Sequence, residues 1–445
     1  MDMKKAFEGD KVILIIILLL ILISFLAIFS STPLLPAQES RLDTMKEHGI
    51  IAIFGIGLMI LLYRFDIKWI KYLSQAGFVI SFVLLAMLLF KVDLGFLRVE
   101  TINSATRNFM FLGKQIHVFE IVKVAMVMYL AWAMNAINED KEARKVKMKP
   151  KTLGLANWLA GKSPNLRFLK KTFWKRMMYV YVPSLIVVGM IFAGSGSSSI
   201  LIGLVLIALM IIGGMPMKEL LTAGAAGVAC IGLMLGIHLA SDGKLIKRAG
   251  TFLGRLTTDY NMNDLEGLKG DAYYDILDDI RQPESAKVAV HEGKIIGKGI
   301  GNSTQKYKVD NIYGDFMYSF LIEEYGLIGG IFVLILYVSL LARSSIVARM
   351  CNNDFEKYAI GGLAVLISGQ AFLHILVNVD IGPMTGQTLP LISHGSSAFL
   401  VFCVAFGIML SISRLAKKKI ENAEMLTENA KNDIEANIEA AEKSA

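Results

Sequence analysis

The stretch VILIIILLLILISFLAIFS, Val12 to Ser30, runs for 19 residues without a charge. At 1.5 Å per residue such a helix is about 28 Å long, which matches the hydrocarbon core of a bilayer. It is longer than a signal-peptide core, and Thr32-Pro33-Leu34-Leu35-Pro36 follows it in place of a small-residue cleavage pattern. The stretch therefore reads as a retained membrane helix. Outward from it, further apolar blocks predict spans near residues 49–64, 70–92, 118–136, 178–194, 197–214, 219–240, 316–342, 357–380 and 396–414. The expected fold class is an all-α integral membrane protein of about ten transmembrane helices.

Composition agrees with this. The chain of 445 residues is 54% hydrophobic and only 19% charged, with a mean hydropathy of +0.54, which excludes a soluble globule of this length. Its net charge of +8 sits beside apolar segments rather than in a stripe with interleaved aromatics. That points to topology and anionic lipid, with no nucleic-acid partner. Cys230, Cys351 and Cys403 suggest no disulfide framework or metal cluster. No repeat, phosphate-binding loop, zinc spacing or Gly-x-Ser-x-Gly occurs.

Lys and Arg near the span ends set the orientation. With Lys4, Lys5 and Lys11 cytoplasmic, so are Arg64, Lys68 and Lys71, the twelve basic residues of 141–176, Arg343 and Arg349, and Arg414 with Lys417 to Lys419. Both termini are then expected inside. One long extracytoplasmic loop, about 241–315, joins the seventh and eighth spans; a loop of that length in a tight bundle is usually functional or disordered, and its closing glycines favour function. The membrane domain covers 1–415, and 416–445 is an acidic cytoplasmic tail, helical or disordered. The stretch 141–176 reads as an interfacial, lipid-contacting loop.

Ionisable residues within or at the mouths of spans are costly and so are site candidates. Glu120 and Lys123 stand i and i+3 on one helix face, either as a structural ion pair or as a place where cations meet an anionic head group, with Arg107 upstream. Asp315 follows a loop containing Gly293, Gly297, Gly299 and Gly301. It suits two roles, helix N-cap or general base. Glu323 and Glu324 point about 100° apart, which favours packing or hydrogen bonding over a shared proton. From Asn378 to Ser397, prolines and glycines interrupt the helix while hydroxyls and amides remain. Backbone of that kind at membrane depth lines a cavity or is buried in protein. His394 reads as a structural histidine.

These elements stand in the order and spacing of the shape, elongation, division and sporulation (SEDS) family of FtsW and RodA. Asn103-Ser104-Ala105-Thr106-Arg107, with Glu120 and Lys123 beyond, resembles the family's Gly-Ala-x-Arg-Trp and Gln-Pro-Ser-Glu-x-x-Lys pattern. Ala289 to Lys306 is similar to its outer-loop signature, followed by Asp315-Phe316 and by Glu323-Glu324-Tyr325-Gly326-Leu327-Ile328-Gly329. Thr385 to Ala398 resembles Leu-Pro-x-Ile-Ser-x-Gly-Gly-Ser-Ser. The departures are Asn108 for tryptophan, Val118 for proline, Asp310 for proline ahead of the aspartate, Ser396 for the second glycine and Ala398 for the last serine.

The resemblance implies a peptidoglycan glycosyltransferase that polymerises lipid II at the outer face of the bacterial cytoplasmic membrane. Asp315 takes the place of the essential aspartate, as general base. Arg107, Lys123, Glu120, Lys298, Ser393, Ser396 and Ser397 are the expected substrate and pyrophosphate contacts, with Glu323, Glu324 and Pro390 in support. A divalent cation, Mg or Mn, could assist, although no closed ligand set is visible. The implied partners are lipid II, undecaprenyl-pyrophosphate-linked glycan, a class B penicillin-binding protein and other divisome membrane proteins. Gly386-Gln387-Thr388-Leu389-Pro390 and the Gly9-Asp10-Lys11 start favour a septal role in division over elongation. A lipid II flippase and a non-catalytic divisome scaffold are the competing readings.

Overall fold

The computed structural model describes residues 7–31, 41–95, 97–102, 105–111, 113–146, 148, 153–162, 164–240, 271–308, 313–382 and 385–444. A helix covers each predicted apolar block: α1 (Lys11–Ser31), α2 (Arg41–Arg64), α3 (Ile67–Phe90), α4 (Val118–Lys145), α6 (Thr172–Phe192), α7 (Gly196–Ile212), α8 (Met217–Ala240), α10 (Met317–Met350), α11 (Asp354–Asn378) and α12 (Ser396–Ser444). Between them lie α5 (Gly154–Lys162) and α9 (Asp271–Gly293). Eight helices among the described residues are long and apolar enough to cross a membrane, and α7 is a shorter apolar helix.

The basic clusters gather at one end of the bundle. Asp10 shows how. Its Oδ1 accepts from the backbone N–H groups of Val12 and Ile13, at 3.0 and 3.1 Å, and so caps α1. Its Oδ2 accepts from Arg343 Nε of α10 at 2.8 Å, and its own N–H donates to Ser413 Oγ of α12. The Gly9-Asp10-Lys11 start thus ties three helices together. Nearby, Lys418 pairs with Glu8 and Lys419 with Glu356. We call this the basic end, and the opposite one the Asp315 end.

Described residues of the stretch 141–176 are also tied to α4. Lys175, 1% exposed, donates to Asp140 Oδ1 of α4 at 2.7 Å and to Asn157 Oδ1 of α5 at 2.9 Å, while Arg144 holds Asp140 Oδ2 at 2.9 Å. This knot fastens α5 beneath α4.

The helices divide by burial. In α4, 78% of the apolar stretch is buried inside the protein, against 22% in α3. α4, α11 and α12 therefore form the centre, while Leu73, Val79, Ile80 and Phe90 of α3 face outward. In lipid, leucine burial drives little association, so small residues that permit close backbone contact matter more. Gly407 of α12 is one. A Cβ there would stand 2.9 Å from Met59 O of α2.

Two differences from the sequence-based expectation concern the loops at the Asp315 end. Between the third and fourth predicted spans, where an all-α fold was expected, lies an antiparallel meander of β1 (Leu97–Ile102), β2 (Ala105–Phe111) and β3 (Lys114–His117). The strands are short and separated by two-residue gaps, the hairpin signal that a search for long apolar runs passes over. In the long connection, 241–270 lies outside the described residues. The rest holds α9, whose Ile280, Ala286 and Ala289 are buried in a helix packed along α10.

Candidate active site

Asp315 is half-buried at the entrance to α10. Its capping reading can be tested on geometry. The N-cap of α10 is Phe316, and two first-turn donors are met by α11: Tyr318 N–H donates to His374 Nε2 at 3.3 Å, and Ser319 N–H to Asn378 Oδ1 at 2.9 Å. Side chains from another helix thus do the capping work at these groups.

The backbone that carries Asp315 is pinned at three consecutive carbonyls. Tyr313 O accepts from His394 N–H at 2.9 Å, Gly314 O from Ser393 Oγ at 2.8 Å, and Asp315 O from Asn378 Nδ2 at 3.0 Å. Ser393 therefore serves the site by holding backbone. The His394 ring stands edge-on to Tyr313, with centroids 5.6 Å apart.

Residues 385–394 form an irregular strap from α11 to α12. Gly386 has φ +57°, and a Cβ there would lie 3.5 Å from Asp315 Oδ2, so the strap passes directly against the carboxylate. Every following residue to Pro390 is tied down. Gln387 O accepts from His374 Nδ1 at 2.7 Å, Thr388 O from Gln370 Nε2 at 3.1 Å, and Pro390 O from Tyr337 Oη at 2.6 Å, while Leu389 N–H donates to Ser393 Oγ. Thr385 O accepts from Ser197 Oγ of α7 at 2.8 Å. This is irregular backbone at depth with its polar groups satisfied by protein.

Lys123 lies behind the strap and is 1% exposed. Its ammonium donates to Glu120 Oε1 at 2.7 Å, Gln370 Oε1 at 2.6 Å and Gln387 Oε1 at 3.1 Å. An ammonium has three donors, and all three are engaged. A phosphate oxygen could reach this charge only by displacing one of the acceptors. Glu120 keeps 12% of its side chain exposed.

Glu323 and Glu324 form a separate staple. Glu323, fully buried, accepts from Ser303 Oγ at 2.5 Å, Lys298 Nζ at 2.8 Å and Thr304 N–H at 2.9 Å. Glu324 accepts from Ser30 Oγ of α1 at 2.6 Å and Gly301 N–H at 3.0 Å. The two carboxylates diverge, as expected from their 100° separation, and fasten the glycine-rich turn to two helices. Lys298 also pairs with Glu292, which holds that carboxyl below its usual 4.5, chiefly through the hydrogen bond from Lys298. The two chain segments touch at Gly297 (φ +86°) and Gly326 (φ +73°), where a Cβ on either would overlap the other's backbone. Lys298 and Gly299 N–H groups donate to Glu323 and Glu324 carbonyls.

Of the other expected contacts, Ser397 Oγ accepts from His117 N–H at 3.0 Å, joining α12 to β3, and Ser396 begins α12. Arg107 is the extra residue of a β-bulge, since Asn108 pairs with Glu100 and Thr106 with Thr101; its side chain lies outside the described residues, as does Asp310. Gln370, His374, Ser197 and Ser198 were not singled out from sequence. A signal existed for two of them: Gln370, His374 and Asn378 recur at i, i+4 and i+8, a polar stripe on an otherwise apolar span.

Fold and site define a multi-pass helical membrane protein that clamps a carboxylate at the mouth of its bundle. Residues 10–418 match the FtsW/RodA/SpoVE family, described as cell cycle proteins, and the chain belongs to that family. Among relatives, a Geobacter metallireducens protein named a probable peptidoglycan glycosyltransferase FtsW is 24% identical over 94% of this chain and 98% of its own length. One from Hahella chejuensis with the same name is 35% identical, over 32% of this chain and 37% of its own. The fold is shared with a chain of a solved peptidoglycan synthase complex that coordinates polymerization and crosslinking (TM-score 0.60, 19% identity, 92% and 98% covered). It is shared too with the Thermus thermophilus rod shape determining protein RodA (TM-score 0.53, 16% identity, 91% and 97% covered).

Proposed function

We propose that this protein is a peptidoglycan glycosyltransferase that polymerises lipid II, with Asp315 as general base. The observation that carries the reading is the fixation of Asp315. Three consecutive carbonyls are bonded from other elements and Gly386 lies against the carboxylate, an arrangement that holds one acid in place for proton transfer. Asp315 takes the proton of the acceptor sugar's 4-hydroxyl. That oxygen forms the new bond to C1 of the donor MurNAc as the C1–O bond to pyrophosphate breaks, and undecaprenyl pyrophosphate departs with the bonding pair.

The departing charge needs a cation. With the three donors of Lys123 engaged, Arg107 on the β2 bulge is the cation we assign to it, with Ser396 and Ser397 at the start of α12 as neighbouring substrate contacts. Among the described residues no three His, Cys, Asp or Glu side chains gather as a ligand set for Mg or Mn, so no step is routed through a metal. We further propose that the protein works in the cytoplasmic membrane at the division septum beside a class B penicillin-binding protein. The name of its Geobacter relative supports this, as does the fold shared with a synthase complex.

The test is glycan polymerisation from purified lipid II by the protein co-purified with its cognate penicillin-binding protein. Asp315→Asn at equal folded yield should lower the rate by about 10²–10⁴-fold, the usual worth of a general base. Undiminished product would remove the assignment. No product from the wild type with partner bound would move weight to a flippase or a scaffold.

A further inference from the structure

We propose that Gln387 is a positioning residue that ties the charge of Lys123 to the strap and thereby sets Gly386 against Asp315. The inference rests on Asp315 as base and deepens that reading. Gln387 is 4% exposed and is held from three helices. Its Oε1 accepts from Lys123 of α4 at 3.1 Å, its Nε2 donates to Ser198 Oγ of α7 at 2.8 Å, and its carbonyl accepts from His374 of α11 at 2.7 Å. The residue before it in the chain is Gly386.

The histidine closes the circuit. Because His374 Nε2 accepts from Tyr318 N–H, the ring proton must sit on Nδ1, from which it is donated to Gln387 O. Tyr318 lies in the first turn of the helix that Asp315 leads into. His374 therefore bridges the strap to the segment that carries the base, and Gln387 sits where the buried charge, the strap and that bridge meet. The Gln387 side chain is engaged by Lys123 and Ser198, and it acts on the site through Gly386, which lies against the carboxylate.

Gln387→Leu keeps the volume and removes both side-chain bonds. In the lipid II assay with the co-purified penicillin-binding protein, it should lower kcat by about 10–100-fold, the scale of an ångström-level misplacement, with KM for lipid II unchanged. Gln387→Glu retains an acceptor for Lys123 and should recover most of kcat, a rescue that a purely packing role would not give. Should Gln387→Leu fail to fold, Ser198→Ala removes only one of the two side-chain bonds and should still lower kcat several-fold at constant KM. A kcat within two-fold of wild type for Gln387→Leu, or for Ser198→Ala where Gln387→Leu does not fold, while Asp315→Asn is silent, overturns the positioning role alone. A raised KM at constant kcat also overturns it, by making Gln387 a substrate contact. Wild-type activity in Asp315→Asn removes the base and this inference with it.

Discussion

Lys123 and Lys175 are both 1% exposed, and each stands 2.7 Å from a carboxylate of α4, Glu120 near one end of that helix and Asp140 near the other. Their surroundings differ. At the basic end, Lys175 meets Asp140, which Arg144 and Asn157 also hold, so charge is locked into the frame by groups on helices. At the Asp315 end, Lys123 spends two of its three donors on amides, one of them on an irregular strap beside the carboxylate. The chemistry of a buried lysine is common to both. What its partners are attached to decides whether it braces the bundle or positions a site.

The comparison is broken most easily at its stronger member. Asp140→Ala leaves Lys175 buried with only Asn157, and the loss should be about 3–5 kcal/mol, the cost of removing one partner of a buried pair. Thermal unfolding of the detergent-solubilised protein reads this, and polymerisation per folded molecule should not change. A variant as stable as wild type would show that Asn157 and water suffice.

Lys123→Met should behave in the opposite way. It removes three charge-assisted bonds but leaves Glu120 partly exposed to water and two amides that can rotate, so the stability loss should be smaller, about 1.5–3 kcal/mol. Polymerisation should fall by at least about 10-fold per folded molecule because the strap loses its anchor. Equal loss of stability in the two variants, with activity retained in Lys123→Met, would erase the distinction.

The smallest effect lies in the glycine-rich turn. The hydrogen bond from Lys298 lowers the Glu292 carboxyl below 4.5, its ordinary value. A carboxyl lowered on folding contributes stability that is present above its unfolded value and lost as pH falls through its folded one. Protection of residues 294–305 against hydrogen exchange should therefore hold from neutral pH to about 4.5 and weaken below it, and Glu292→Gln should remove that step. An unchanged profile would place the whole anchorage on buried Glu323.

Much of this was legible in the sequence because its causes are local. Apolar runs mark spans wherever they sit, and a helix covers each predicted block. Glu323 and Glu324 were legible as diverging carboxylates because helix geometry alone separates adjacent residues. Asp315 was singled out by its place after a glycine-rich loop at a helix mouth, but the same position suited a cap. What the sequence did not show is that His374 and Asn378 take two of the first-turn donors from a helix nearly sixty residues away, at separations of 56 and 59. The meander of 97–117 escaped because short strands carry a weak local signal.

Sequence alone determined that this chain crosses a membrane many times, which end collects positive charge, and which carboxylate stands at the mouth of the bundle. All three follow from residue type and spacing along the chain. The tertiary structure decided what Lys123 does, since two of its acceptors, Gln370 and Gln387, lie 247 and 264 residues away. A buried ammonium must satisfy each donor with whatever the fold brings to it, and no local pattern says what that will be.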